Sequence, residues 1–284
     1  MSGSPDSPSG SQTGSYWRNI AMQPSFRLVA LLEESIEYDR HWTLPFHSLA
    51  LCAEENPRDP SWFELKETGE RMFAEKGDVT FMAAGTPVRI RYTTANRHLA
   101  IHFRYELFPG VDVFAGLRGR FRIKDAGGAL TAKIAAVFAE TDDLRRFAAA
   151  ESAVLDAILP FWPEHSTLDL VRLAPYGDVL RDMADTLDAR TAVGDLAARM
   201  GLSEAHFPAV FRSLVGMAPK QWLEQALFDR ARRMLSDPRR TVRDVAYALE
   251  FSDEFNFSRF VKRRSGYSPT QLRSTPQGPV SNWK

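Results

Sequence analysis

The sequence of 284 residues has one cysteine, no long apolar run and no net charge. The single cysteine, Cys52, excludes a disulfide framework or a multi-cysteine zinc site within one chain. Its small apolar neighbours favour a buried thiol over a reactive one. No stretch approaches the roughly 20 apolar residues that a membrane-spanning helix needs. Lys and Arg number 36, as do Asp and Glu, so the chain as a whole is neither basic nor acidic.

The zero net charge hides an uneven distribution. Residues 191–273 contain 14 basic and 9 acidic side chains, a net charge of +5, which leaves 22 basic and 27 acidic side chains elsewhere. The zero net charge of the whole chain therefore does not argue against nucleic acid as a partner. We expect only the basic part to dock on phosphates, because the acidic remainder is repelled by them.

Composition and periodicity predict an α+β chain of two domains. The segments are a disordered tail over 1–15, a β domain over 16–125, a helical pair over 126–163, a linker over 164–175, an all-helical domain over 176–273 and a tail over 274–284. Short alternating strands in the β domain are typical of an antiparallel sandwich or barrel. The apolar period of the helical pair suits packing on that barrel or a dimer seam. The first tail lacks the features of a secretory signal, so we expect a soluble, cytoplasmic protein.

The helical domain contains a repeat of about 50 residues. Its candidate helices are 176–187, 192–200, 204–214, 219–235, 242–249, 253–264 and 269–273. The matched positions are Asp195 with Asp244, Ala197 with Ala246, Ser203 with Ser252 as expected N-caps, Phe207 with Phe257, and Arg212 with Lys262. Each copy is a short helix, a tight turn and a longer helix, the pattern whose second helix enters the DNA major groove. A purely structural bundle is the alternative, and two copies in one register argue against it.

Residues 176–273 resemble the DNA-binding region of the AraC/XylS family of bacterial transcription regulators. The likeness is carried by Asp195-Leu-Ala, Asp244-Val-Ala, Phe251-Ser-Asp, Phe257-Ser-Arg-Phe-Val-Lys262 and Gly266-Tyr-Ser-Pro269. The resemblance implies a sequence-specific regulator that is not an enzyme, with double-stranded DNA, a small-molecule effector and a second copy of the chain as partners. RNA polymerase is a further candidate partner. A looser likeness, on Gly77-Asp-Val-Thr-Phe-Met-Ala-Ala-Gly85-Thr-Pro87, implies a cupin-like barrel as the sensor.

The second recognition helix leaves Glu254, Phe255, Ser258 and Arg259 facing the groove, where the resemblance places base contacts. Arg259 suits guanine O6 and N7, Glu254 suits cytosine N4, and Phe255 suits a thymine methyl. The basic residues expected at phosphates, which position a protein without reading sequence, are Arg212, Lys262, Arg263 and Arg264.

The first recognition helix departs from the family pattern. Its groove-facing positions are Ala205, Pro208 and Ala209, whose side chains donate no hydrogen bond to a base. We expect Pro208 to lie about five residues into the helix and to kink it. Base readout should therefore come mainly from the second motif, unless the protein has lost sequence specificity and acts through protein contacts. In the second copy, Glu250 stands where Gly201 supplies the turn glycine of the first copy. We therefore expect Glu250 to adopt a left-handed backbone conformation although it is not glycine.

The β domain offers candidates for an effector pocket but none for catalysis. The polar and aromatic candidates are Trp42, His47, Trp62, Phe81 and Arg89. The histidines lack the clustered spacing of a metal site, and strand alternation places His98 and His102 on a solvent face. We therefore expect no metal, no cofactor and no enzymatic activity. The alternative is a cupin-type ligand-binding protein or enzyme whose helical half is only structural.

Overall fold

The computed structural model describes residues 25–274 apart from 36, 95, 115–116, 126, 162–169 and 266. The predicted tail over 1–15, residues 164–169 of the predicted linker, residues 275–284 and Gly266 of the repeat lie outside the described residues. Within the described ranges, no helix is long and apolar enough to cross a membrane. The domain boundaries given above stay predictions.

The described residues of the β domain form two antiparallel sheets. The strands are β1 (Ser25–Glu34), β2 (Tyr38–Thr43), β3 (His47–Glu54), β4 (Trp62–Leu65), β5 (Arg71–Phe73), β6 (Val79–Met82), β7 (Pro87–Tyr92), β8 (Arg97–Phe108), β9 (Val111–Asp112) and β10 (Arg120–Ile123). The larger sheet has the order β1-β8-β3-β6-β10, with β9 on β8, and the smaller has the order β2-β7-β4-β5. They pack face to face through Cys52 and Met82 of the larger sheet and Phe63, Val88 and Ile90 of the smaller. The closed cupin-like barrel is not confirmed, because no strand ladder joins the two sheets in the described residues.

The prediction that His98 and His102 face solvent is wrong, because each is only 3% exposed. Both lie on β8, which pairs with β1 and β3 and is buried over most of its length. His98 stacks on Tyr92 of the smaller sheet with ring centroids 4.1 Å apart, and its Nε2 lies 3.1 Å from Ser61 Oγ. Burial lowers the pKa of each histidine to about 3, so both rings are neutral at pH 7.

The helical pair covers the other face of the larger sheet. It consists of α1 (Ala129–Ala139) and α2 (Asp143–Ile158). The residues buried toward the sheet are Leu130, Ile134, Val137, Ala150, Ala153, Val154, Ala157 and Ile158. Leu144 and Leu159 remain 82% and 62% exposed. Packing on the β domain is therefore observed, and a dimer seam stays a prediction.

The C-terminal domain is helical, as predicted. Its α-helices are α3 (Leu170–Leu173), α4 (Gly177–Thr186), α5 (Val193–Arg199), α6 (Phe207–Val215), α7 (Pro219–Leu235), α8 (Val242–Ala248), α9 (Glu254–Ser265) and α10 (Pro269–Ser274). The main difference from the predicted bounds is α6, which begins at Phe207 instead of residue 204.

The helical domain packs on the β domain through α4 and α7. Trp222 of α7 donates from its indole Nε1 to the carbonyl of Pro109 at 2.8 Å. The same ring lies against Gly110, which has a φ of +73°. At the start of α4, Gly177 lies against the Phe108 ring so closely that a Cβ atom would approach it to 2.4 Å. Because these two glycines have no Cβ atom, the two domains can approach more closely than a larger residue would allow.

Gly110→Ala should destabilise the protein by about 2–4 kcal/mol, from left-handed backbone strain and overpacking together. The new Cβ would lie 2.6 Å from the Nε1 atom of Trp222. The matched control is Gly69→Ala, which has a φ of +69° and nothing within 4 Å of the new Cβ. Gly69→Ala should lower the free energy of unfolding only by the cost of left-handed backbone strain, about 1 kcal/mol. Equal losses in urea denaturation of the two variants would contradict the predicted interdomain clash.

The buried histidines predict a loss of stability in acid. The unfolded chain takes up protons below about pH 6.5, whereas the folded imidazoles stay neutral until their much lower pKa values are reached. The free energy of unfolding should therefore fall by about 1 kcal/mol for each histidine between about pH 6.5 and 5.5. In urea denaturation at several pH values, His102→Phe should lose one histidine's contribution to this fall in the free energy of unfolding. His41→Phe, which alters an exposed ring on β2, is the control; an identical slope in both variants would refute the prediction.

Candidate nucleic-acid interface

The two helix-turn-helix copies share the same backbone hydrogen bonds in their turns. The bonds run from Gly201 to Ala198, from Leu202 to Ala197, from Glu250 to Tyr247 and from Phe251 to Ala246, each from N–H to carbonyl at 3.0 Å. Glu250 has a φ of 57° where Gly201 has 67°, which confirms the predicted left-handed non-glycine residue. The repeat in the sequence is thus a repeat of turn geometry.

Side-chain caps fix the helix starts in the second copy. Thr241 Oγ1 accepts a hydrogen bond from the Asp244 N–H at 3.0 Å, and Asp244 Oδ2 accepts one from the Thr241 N–H at 2.8 Å. This reciprocal pair satisfies two amide groups at the start of α8. At α9 the cap is Asp253, whose Oδ1 accepts from the Asn256 N–H at 2.7 Å. The prediction of Ser252 as the N-cap is therefore wrong by one residue.

Aromatic packing holds each recognition helix and determines which face is free. In the first copy, Phe207 and Phe211 are buried with ring centroids 5.2 Å apart. In the second copy, Phe257 is buried against Phe251 at 5.2 Å, and Phe260 packs on the same ring at 5.3 Å. Between these positions, Pro208 and Ala209 of the first copy and Arg259 of the second are exposed.

The second recognition helix, α9, exposes its predicted base-reading residues. Glu254, Phe255 and Arg259 are exposed and Ser258 is half-buried. Phe255 is 69% exposed, which is unusual for a large apolar side chain on a soluble helix. The Arg259 guanidinium lies 5.7 Å from the centroid of the Phe255 ring, a cation–π geometry. This face presents hydrogen-bond donors and an apolar surface together, as major-groove readout requires.

The predicted phosphate-contacting residues divide into two groups. Arg212, Lys262 and Arg263 are exposed and form no ion pair with any described residue. Arg264 is turned inward, with its Nη2 donating to Gln225 Oε1 at 2.6 Å. The first three are therefore available to a phosphate backbone, whereas the expectation for Arg264 is wrong because its guanidinium belongs to an internal contact.

The first recognition helix, α6, is not kinked by its proline. Because α6 begins at Phe207, Pro208 lies in the first turn, where a missing N–H breaks no intrahelical bond. The expected kink is therefore wrong. Ala205 precedes the helix, and Ala209 is exposed on it beside Arg212 one turn further on. Neither alanine supplies a polar group, and the polar side chains exposed near them include those of His206, Arg212 and Ser213.

A buried ion-pair network connects this domain to the β domain. Asp229 of α7 is 6% exposed, and its Oδ2 lies 3.1 Å from Arg104 Nη1 and 3.3 Å from Arg27 Nη1. Burial raises the pKa of Asp229, but the two guanidinium groups outweigh it and hold the pKa below its usual value. Gln225 donates to the same Oδ2 at 3.2 Å and accepts from Arg264. The β domain is thus linked through α7 to the recognition helix α9.

The five candidate effector residues do not converge on one pocket. His47 and Phe81 lie on the helix-covered face of the larger sheet, with ring centroids 5.7 Å apart. Trp62 and Arg89 contact each other on the smaller sheet, with the guanidinium 5.4 Å from the ring centroid. Trp42 packs at the edge of the core between the sheets. They therefore occupy three separate environments.

Sequence reasoning missed a charged group between the sheets, Arg120, which is 8% exposed. Its strand alternates Arg, Phe, Arg and Ile, which indicates a polar face but not that this face is interior. Cys52 is buried as predicted, and burial raises the pKa of its thiol to about 12. Among the residues that the structure describes, no group of three His, Cys, Asp or Glu is arranged to hold a metal ion.

Comparisons with known proteins agree with this geometry. Residues 196–275 match a family model described as a helix-turn-helix domain. The "Uncharacterized HTH-type transcriptional regulator YidL" of Escherichia coli strain K12 is 36% identical over 96 residues, which cover 34% of this chain and 32% of the relative. The arabinose operon regulatory protein of the same strain is 28% identical over 95 residues, again 34% and 32% of the two chains. The chain thus spans about a third of the length of these curated relatives.

The solved structure of ToxT from Vibrio cholerae O395 is similar over nearly the whole chain. The TM-score is 0.51 at 8% identity, and the match covers 89% of this chain and 98% of that chain. At this identity the likeness shows the fold alone, a two-domain arrangement of sheets followed by helices. The tandem turns and the family match over their residues show that the C-terminal domain contains a helix-turn-helix domain similar to those of transcription regulators.

Proposed function

We propose that this chain is a sequence-specific DNA-binding regulator of transcription that acts in the cytoplasm, catalyses no reaction and responds to a small-molecule effector in its β domain. One observation carries the proposal: α9 exposes Arg259 over the ring of Phe255, on a helix-turn-helix whose other side is packed. A solvent-facing helix of a structural bundle gains nothing from an exposed phenyl ring, whereas a DNA-reading helix gains a contact to a thymine methyl.

Base readout falls mainly to α9 in this proposal. Arg259 suits a bidentate contact to guanine, and Glu254 suits the amino group of cytosine. Ala205 and Ala209 of the first motif offer methyl contacts only. Arg212, Lys262 and Arg263 would hold phosphates and set the register of both helices on the duplex.

Partners beyond DNA are part of the same proposal. The effector would act from the β domain, whose Arg27 and Arg104 hold Asp229 of α7. A homodimer through the helical pair is supported by Leu144 and Leu159, which are exposed although both are large and apolar. Contact with RNA polymerase stays a prediction from the family resemblance.

The alternative is a ligand-binding protein or enzyme of cupin type with a structural helical half. A structural half would bury the apolar residues of α9 and pair its cations. The observed arrangement differs, since Phe255 is exposed and Arg259, Lys262 and Arg263 form no ion pair within the described residues. This favours the regulator.

A mobility-shift titration of the full chain tests the function. The probe is the DNA flanking its own gene, compared with random DNA of the same length across a range of salt concentrations. Specific binding with a steep salt dependence is the expected result. Equal affinity for both probes would overturn sequence specificity, and no binding to either would overturn the proposed function.

Arg259→Ala should weaken binding to the specific probe by about 1–3 kcal/mol, roughly 5- to 150-fold in Kd, and relax preference at one base position. Lys262→Ala should weaken both probes alike and lower the salt slope by about one. Arg71→Ala, which removes an ion-paired arginine on β5, is the matched control and should leave both affinities unchanged. Unaltered specific binding by Arg259→Ala would show that α9 does not read bases.

Ala209→Arg places a donor on α6 at the position that Arg259 occupies on α9. Because Pro208 lies in the first turn, this single change should be tolerated without altering the proline. We expect tighter binding to DNA and a steeper salt slope, because one more cation reaches the duplex. Unchanged affinity and slope would mean that α6 stays outside the groove.

A further inference from the structure

The interior of the β sandwich contains a cation with no carboxylate partner. Arg120 begins β10 opposite Met82, and its side chain lies between the two sheets. Its Nη2 donates to Thr80 Oγ1, and its Cζ lies 3.1 Å from the centroid of the Phe63 ring. Its Nε finds no hydrogen-bond partner, and no acidic side chain in the described ranges forms an ion pair with the group.

The charge on Arg120 persists at neutral pH. Burial lowers the pKa of its guanidinium, but only to about 10. Asp78 acts on this charge from a distance and is itself paired with Arg122 Nη2 at 3.0 Å. Burying a charge without an ion partner is costly, so an interior of this kind favours an anion that arrives from outside.

The groups around Arg120 are mostly aromatic. One buried carboxylate, Glu34, acts on Tyr92 beside it, and burial raises the pKa of Glu34 above its usual value. Burial keeps His98 uncharged and raises the pKa of Tyr92 above its usual value. The Tyr92 ring packs edge-on against Phe63 at 5.6 Å between centroids, and its hydroxyl makes no hydrogen bond to a described residue. The site thus offers guanidinium and hydroxyl donors beside apolar ring surfaces. No strand ladder joins the two sheets in the described residues, so a ligand between them would displace side chains and not a strand pair.

We propose that the space between the two sheets binds a small organic monocarboxylate, which pairs with Arg120 and packs its apolar part against Phe63 and Tyr92. A carboxylate matches the planar donor geometry of a guanidinium and can accept two parallel hydrogen bonds from it. A neutral ligand of the same shape would leave the buried charge uncompensated. The inference rests on the proposed function and names the chemical class of its effector.

Thermal unfolding of the full chain tests the inference with butanoate and phenylacetate as probes. Their uncharged counterparts, butanamide and phenylacetamide, have nearly the same shape. We expect at least one carboxylate at millimolar concentration to raise the Tm by about 2–4 °C and its amide to have no effect. Equal shifts from acid and amide, or no shift from either acid, would overturn the inference.

Substitutions locate the effect. Arg120→Met should abolish the shift, and Arg120→Lys, which keeps the charge, should keep part of it and serves if the methionine variant fails to fold. Arg122→Met is the matched control, since it removes an arginine two residues along the same strand whose partner is Asp78. It should keep the full shift. A shift that survives in Arg120→Met, or is lost equally in Arg120→Lys and Arg122→Met, would overturn the assignment.

The DNA titration of the same preparations separates this inference from the proposed function. Specific DNA binding without a carboxylate-dependent Tm shift would refute the monocarboxylate and leave the regulator standing. A carboxylate shift without any DNA binding would refute the regulator and leave the ligand site standing.

Discussion

Two arginines that lie directly opposite each other on neighbouring strands make the β domain depend on the helical domain. Arg27 and Arg104 are register partners in the β1–β8 pair, where like charges repel. The Asp229 carboxylate from α7 lies within 3.3 Å of both guanidinium groups. Arg104 and Asp229 are buried, so each of these charges is costly without the other, whereas Arg27 remains 34% exposed. Glu106 of the β domain also lies 3.9 Å from Arg104 Nη1, but the Asp229 carboxylate is closer and joins both arginines to α7, which fixes how the two domains meet.

One face of α7 connects the contact with the β domain to the recognition helix α9. Trp222, Gln225 and Asp229 are spaced three and four residues apart, so they lie on the same side of the helix. Trp222 and Asp229 contact the β domain, and Gln225 joins Asp229 to Arg264 of α9. Since α7 also connects the two helix-turn-helix copies, a change in the spacing of β1 and β8 acts on a helix that positions both. The effector proposal gains a physical route from this arrangement.

What the sequence predicts well is what local chemistry decides. The positive φ of Glu250 follows from aligning it with Gly201, because both turns close with the same hydrogen bonds. The burial of His98 and His102 could not be predicted, because alternation shows that a strand has two faces and not that both are covered. The burial of Arg120 and Asp229 could not be predicted for the same reason, because the residues that surround them come from strands and helices distant in the chain.

Ion pairing decides where the basic surplus of the helical domain acts. Residues 191–273 carry a net charge of +5. The arginines of this range that form ion pairs within the described residues are Arg199 with Asp182, Arg233 with Asp185, Arg239 and Arg240 with Asp237, and Arg264 with Glu224. Their charges are offset locally, and at about 0.1 M salt a field is screened within about 10 Å. Arg259, Lys262 and Arg263 of α9 lack such partners among the described residues, so their positive charge is not offset locally. A chain of zero net charge can therefore present a DNA-binding surface, because its neutrality is produced elsewhere in the molecule.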